Sequence, residues 1–131
     1  MLSQSPINAP ILSYRDLRVW QRAIALVDEL YQVTKTFPAD ERYGLVAQLR
    51  RAGISVASNI AEGHTRSRAD YRRFLVIAAG SLTEVETQVH ISLRLGFLDA
   101  SVAETILTHC GELGRMLSTL RKRLVRPGPR G

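Results

Sequence analysis

The sequence predicts an all-α protein folded as an antiparallel up-down four-helix bundle. Three observations carry that prediction. Apolar residues recur every three or four positions through four successive segments. Capping and breaking residues separate those segments by short connections. No run alternates β-branched and polar residues between turn signals, as a half-buried strand would. At 131 residues the chain fits one domain, long enough to bury a core without disulfides or metal.

Residues 1–12 hold Pro6, Asn8 and Pro10 without periodicity and read as a flexible arm ahead of a bundle domain over 13–126. A first helix is expected over 16–35, with Ser13 and Asp16 at capping-box spacing. Its main stripe is Leu17, Trp20, Ile24, Val27 and Tyr31, with Ala23, Leu26, Leu30 and Val33 beside it. Phe37 and Pro38 break this helix, and Asp40 is placed to cap the next, over 41–61. Leu45, Leu49, Ala52, Val56 and Ile60 share one face of that second helix, and Gly63 reads as its stop signal. The third runs over 67–95, from Ser67 with Asp70 three residues on to Gly96. The fourth is capped by Asp99 or Ser101 and closes before Pro127, leaving 127–131 as a flexible tail.

On the fourth helix the expected core stripe is Val102, Ile106, His109, Leu113, Met116, Leu120 and Leu124. A second apolar face there, Ala103, Leu107, Cys110, Gly114 and Leu117, exceeds what one core requires, as do Ile77, Ile91 and Leu95 on the third. Surplus apolar faces on a bundle point to a subunit interface. The small run Ala78, Ala79, Gly80 and Ser81 fits either close approach of a neighbouring helix or simple core packing.

Net charge is +6, and the sequence pI is about 10.2. The excess is concentrated. Residues 50–73 carry six arginines against Glu62 and Asp70, and residues 114–131 carry six basic residues and no acid. Arginine's planar fork suits phosphate better than a lysine point charge, and only two of the basic residues are lysines. The nucleic-acid-binding candidates are Arg15, Arg18, Arg22, Arg50, Arg51, Arg66, Arg68, Arg72, Arg73, Arg121, Lys122, Arg123 and Arg126. In an antiparallel bundle these are expected to converge on one rim, binding phosphates with strong salt dependence and little base readout.

Nothing in the chain points to catalysis. Cys110 is the lone cysteine, so neither an internal disulfide nor a cysteine-based zinc site can form. Glu86 with His90, and His109 with Glu112, have ligand-like spacing, but the repeated Glu-x-x-His set of a bundle di-metal site is missing. Ser55 and Ser58 lack a nucleophile elbow, and the glycines are too scattered for a phosphate loop. No metal and no cofactor is expected. The N-terminus lacks a signal-peptide pattern, and no apolar run nears the roughly 20 residues of a membrane helix, so a cytoplasmic protein with no membrane partner is expected.

One segment is more unusual. Ser58, Asn59, Glu62 and Gly63 end an otherwise apolar helix, and Asn59 and Glu62 at i,i+3 read as a structural cap rather than as ligand contacts. Together with Tyr14–Gln21, Phe37–Pro38, Tyr43–Leu45, Gln48–Ala52, Phe74–Leu75, Gly80–Gln88 and Leu95–Leu98, the run Ser58–Gly63 resembles the bacterial 23S rRNA intervening-sequence proteins over about residues 14–125. The resemblance implies a four-helix bundle assembling into a ring-like homopentamer, and brings no catalytic residues. A related branch resembles the accessory protein of diversity-generating retroelements, which partners a reverse transcriptase and binds nucleic acid. The family pattern commonly has proline where this chain has Ala57, so a straighter second helix is expected. The expected function is a non-catalytic, oligomeric, basic bundle that binds RNA or DNA backbone. The alternative is a protein–protein adaptor or an accessory subunit of a nucleic-acid enzyme such as a reverse transcriptase.

Overall fold

The computed structural model describes residues 10–125. Among them, four long helices account for nearly all the regular structure: α1 (Arg18–Thr34), α2 (Leu45–His64), α3 (Arg68–Arg94) and α4 (Ala100–Arg123). Two single 3-10 turns, Tyr14–Asp16 and Ala39–Glu41, precede α1 and α2, and no strand is present among the described residues. The expected tail over 127–131, Arg126 and most of the expected arm lie outside the described residues.

The caps explain where each helix begins. The Ser13–Asp16 box forms, but it closes the 3-10 turn ahead of α1: Asp16 Oδ2 accepts from the amides of Leu12 and Ser13. The start of α2 departs from expectation. Asp40 caps nothing there; Glu41 Oε1 accepts from the amide of Leu45 at 3.2 Å, because the intervening 3-10 turn moves the helix start by one turn. Ser67 caps α3 by accepting from the Asp70 amide, and Asp99, not Ser101, caps α4 by accepting from Val102. That backbone bond, reinforced by the Ser101 hydroxyl, holds the Asp99 carboxyl below the usual carboxylate range. Gly96 takes φ +80° after α3, the left-handed conformation that glycine adopts without steric cost.

The core is a continuous cluster drawn from all four helices, with Leu30, Leu49, Ile60, Leu75, Ile106, Leu113 and Leu117 fully enclosed. On α1 the deeply buried stripe is Val19, Ala23, Leu26 and Leu30; Trp20 and Ile24 flank it. On α4 the buried stripe is Ala103, Ile106, Cys110, Leu113 and Leu117, so the expected order of its two apolar faces is reversed. His109 does not point into the core; it is half-exposed and meets Glu29 of α1, Nδ1 to Oε1, at 2.8 Å. The remaining surplus face is real: Ile77, Ile91 and Leu95 on α3 stay 43%, 42% and 57% exposed. The small run is divided, with Ala78 and Ser81 buried and Gly80 facing open space.

Specific contacts set the register. Ser55 shares a 2.7 Å hydrogen bond with Ser81, and the Gln88 amide donates to Gln48 at 3.3 Å, tying α2 to α3 along their length. At the far end of that pair, a Cβ on Gly63 would meet Phe74 Cβ at 2.6 Å and Tyr71 Cδ1 at 3.1 Å. Gly63 therefore does not stop α2. It lies within the helix, and its missing side chain lets α3 come close. Ala57 is buried in a helix that runs unbroken from Leu45 to His64.

Candidate nucleic-acid interface

The basic candidates separate into groups once the helices are placed. Arg66, Arg68, Arg72 and Arg73 surround the start of α3, and two of them reach α4. The Arg68 guanidinium donates to the Arg123 carbonyl at 3.1 Å, and Arg72 Nε donates to the Arg121 carbonyl at 3.3 Å. The last carbonyls of a helix have no partner within it and carry the negative end of its dipole. Cationic side chains from α3 thus satisfy the end of α4, and they bring the two most arginine-rich segments side by side.

Arg66 and Arg73 share a different anchor. Their guanidinium carbons lie 5.5 and 5.2 Å from the centre of the Phe74 ring. Arg66 also pairs with Glu62 at 2.8 Å, and Arg73 with Asp70 at 3.3 Å, both exposed pairs that add modest stability but fix the side chains. Beneath them, His64 stands edge-on to Tyr71 at 5.6 Å. Burial pushes the Tyr71 phenol upward, and its hydroxyl finds no hydrogen-bond partner among the described residues.

Arg15 and Arg18 approach the same end, because Tyr14 lines a groove with Trp20 of α1 and with Ala57, Ser58 and Ala61 in the closing turns of α2. Around this end stand nine basic side chains, from Arg15 and Arg18 through the α3 arginines to Arg121, Lys122 and Arg123, against Asp16, Glu62 and Asp70.

Three expected members do not join. Arg50 lies near the start of α2, four helical turns from the α3 cluster; at about 1.5 Å per residue it is some 24 Å away. It stacks on the Tyr31 ring at 4.2 Å and donates to Thr34 Oγ1 at 3.0 Å, closing the end of α1. Arg51 is exposed beside it. Arg22 pairs with Glu112, clasping α1 to α4 beside the His109–Glu29 contact. The expected convergence of every arginine is therefore corrected: sequence neighbours were grouped by segment, whereas a helix of 20 residues carries its two ends to opposite ends of the bundle.

The Ser58–Gly63 segment divides as well. Asn59 and Glu62 do not bond each other: Asn59 Nδ2 donates to the Ser55 carbonyl at 2.8 Å, and Glu62 serves Arg66. Ser58 is exposed at the Tyr14 groove. Sequence reasoning missed Phe74 as the shared support of Arg66 and Arg73. The i,i+4 and i,i+3 pairings with Glu62 and Asp70 were the readable signal. Among the described residues no group of three His, Cys, Asp or Glu side chains is placed to hold a metal ion. Cys110 is enclosed in the core, where burial, with Glu86 and Glu29 adding to it, pushes the thiol up to about 12. No helix of the described residues is long and apolar enough to cross a membrane.

The family model of the 23S rRNA-intervening sequence protein matches residues 15–119. The chain belongs to this family. The match takes in all of α1, α2 and α3 but Arg15 and Arg18 only at its edge, and it stops short of Arg121–Arg123. Part of the basic end thus lies beyond the segment that defines the intervening-sequence family. The fold is similar to the crystal structure of a Bacteroides thetaiotaomicron protein of unknown function from the S23 ribosomal protein family. The TM-score is 0.72 at 22% identity, covering 79% of this chain and 98% of that one. No curated protein matches the chain.

Proposed function

We propose that this intervening-sequence protein is a non-catalytic, cytoplasmic, antiparallel bundle that binds the phosphate backbone of nucleic acid through its arginine-rich end, with little sequence preference. One observation carries the reading: the start of α3 and the end of α4 present seven basic side chains together, pinned by Phe74, Glu62, Asp70 and the last carbonyls of α4. A cluster of pre-positioned guanidiniums neutralises phosphates and releases their counterions. Fluorescence anisotropy with a labelled RNA tests it. Affinity is expected to fall steeply and log-linearly with salt, with a slope corresponding to roughly four or more phosphates. Absence of binding even at ~20 mM salt overturns the proposal.

Self-assembly belongs to the same reading. Ile77, Ile91 and Leu95 leave an apolar ridge on α3, and such ridges are commonly buried against another subunit. With the family resemblance, this supports a ring-like homopentamer, in which the basic end recurs around the ring. Light scattering at micromolar concentration should return a multiple of the 14.6 kDa chain mass. A monomeric mass overturns the assembly and favours an adaptor whose ridge meets another protein, for instance an accessory subunit of a reverse transcriptase.

A further inference from the structure

Resting on the nucleic-acid reading, we infer that the basic end takes double-helical nucleic acid in preference to single strands. Single-strand sites combine a basic track with aromatic faces on which bases stack. Here the rings near the basic end are already committed. Phe74 is flanked by the guanidiniums of Arg66 and Arg73, Tyr71 is 8% exposed beneath His64, and Trp20 packs edge-on against Tyr14 at 5.3 Å. The most exposed aromatic ring, Tyr43 at 87%, lies at the opposite end of α2.

What the end does present is two basic rows. Arg66 and Arg73 form one beside Phe74; Arg121, Lys122 and Arg123 form the other on the last turn of α4, joined to α3 by Arg68 and Arg72. Packed helices lie about 8–10 Å apart. Duplex grooves are about 6 to 12 Å wide, so each row can meet the phosphates of one strand across a groove. A duplex also carries one charge per about 1.7 Å of axis, more than a single strand offers to charges that are held in place. RNA and DNA duplexes share this chemistry.

The test is competitive anisotropy on the full chain at ~100 mM salt, with a duplex DNA and a duplex RNA of about 24 base pairs and with each component strand. At least one duplex is expected to bind about tenfold or more tighter than either strand, and whichever leads names the helix form. Paired reversals, Arg66→Glu with Arg73→Glu, or Arg121→Glu with Arg123→Glu, should each weaken duplex binding about tenfold or more while circular dichroism stays unchanged. Single strands binding as tightly as the duplexes overturn the inference and leave the basic-end reading standing. A full duplex preference retained after one row is reversed overturns the two-row geometry. No binding of any probe overturns the basic-end reading itself.

Discussion

The two ends of this bundle face one structural problem and solve it with different chemistry. Every helix leaves unpaired amides at its start and unpaired carbonyls at its finish. Where α1 gives way to α2 and α3 to α4, the solution is mainly apolar. Phe37 is 7% exposed, its ring lies 5.6 Å from that of Phe97, and Leu98 is buried beside the Gly96 turn. Arg50 completes that end from within, half-buried on Tyr31. At the opposite end the closure is cationic: Arg68 and Arg72 satisfy the carbonyls of α4, and Arg66 and Arg73 are propped on Phe74. An apolar plug hides its contacts. A cationic closure leaves charge outside, so the end that costs more to build is also the end that can meet a polyanion.

The largest expected effect tests the apolar plug. Phe37→Ala should cost about 3 kcal/mol in urea unfolding, at the low end for a buried phenylalanine because a bundle end can partly collapse. A loss under about 1 kcal/mol would show that the plug does not close that end. Next comes the contrast in charge. Reversing Arg66, Arg73, Arg121 and Arg123 together to glutamate should weaken RNA binding about 100-fold, close to 2.7 kcal/mol. Reversing Arg42 and Arg94 at the other end should change it less than about threefold. Equal losses from the two sets would dissolve the distinction and leave only net charge.

Two smaller effects sharpen the picture between the ends. Gly63→Ala should destabilise by about 2 kcal/mol, because the new methyl meets Phe74 Cβ, which backbone holds in place. Gly53→Ala is the matched comparison: its nearest neighbour is the Leu30 methyl at 2.7 Å, the end of a side chain that can turn. A Gly53→Ala loss as large as that of Gly63→Ala would mean the α2–α3 approach is not special. For Cys110 the native thiol ionises near 12, whereas an unfolded thiol ionises near 9. Its contribution is therefore full below about pH 9 and is lost as pH rises toward 12. Relative to Cys110→Ala, the wild type should lose about 1 kcal/mol between pH 8 and pH 10 in urea melts.

The helices and most caps were legible because each depends on residues within one turn: Ser67 with Asp70, Asp99 with Val102, and Gly96 at its left-handed turn. Misreadings arose where a decision is tertiary. Periodicity marks two apolar faces on α4 but not which one meets the core, so His109 was placed inside although it pairs with Glu29 across the α1–α4 seam. Gly63 has the composition of a stop and the role of a contact, a difference set by Phe74 on another helix. Arg50 and Arg51 sit next to Ala52 and read as part of a basic segment; helical rise carries them away from it. Of the candidate interface, the charge was visible in the sequence, and the partition of arginines between anchors and outward cations was not.

The short link between α2 and α3 has a kinetic consequence. Only Thr65–Ser67 separates them, so closing that hairpin spends little chain entropy, and Ser55 with Ser81 can lock its register early. The Arg22–Glu112 clasp, by contrast, joins residues 90 positions apart. Assembly should therefore proceed outward from the central pair, with α1 and α4 closing last along their shared seam. Mostly local contacts of this kind place the bundle among rapidly folding topologies. The arginine end, whose α3 half starts at that link, takes shape before the chain has finished collapsing.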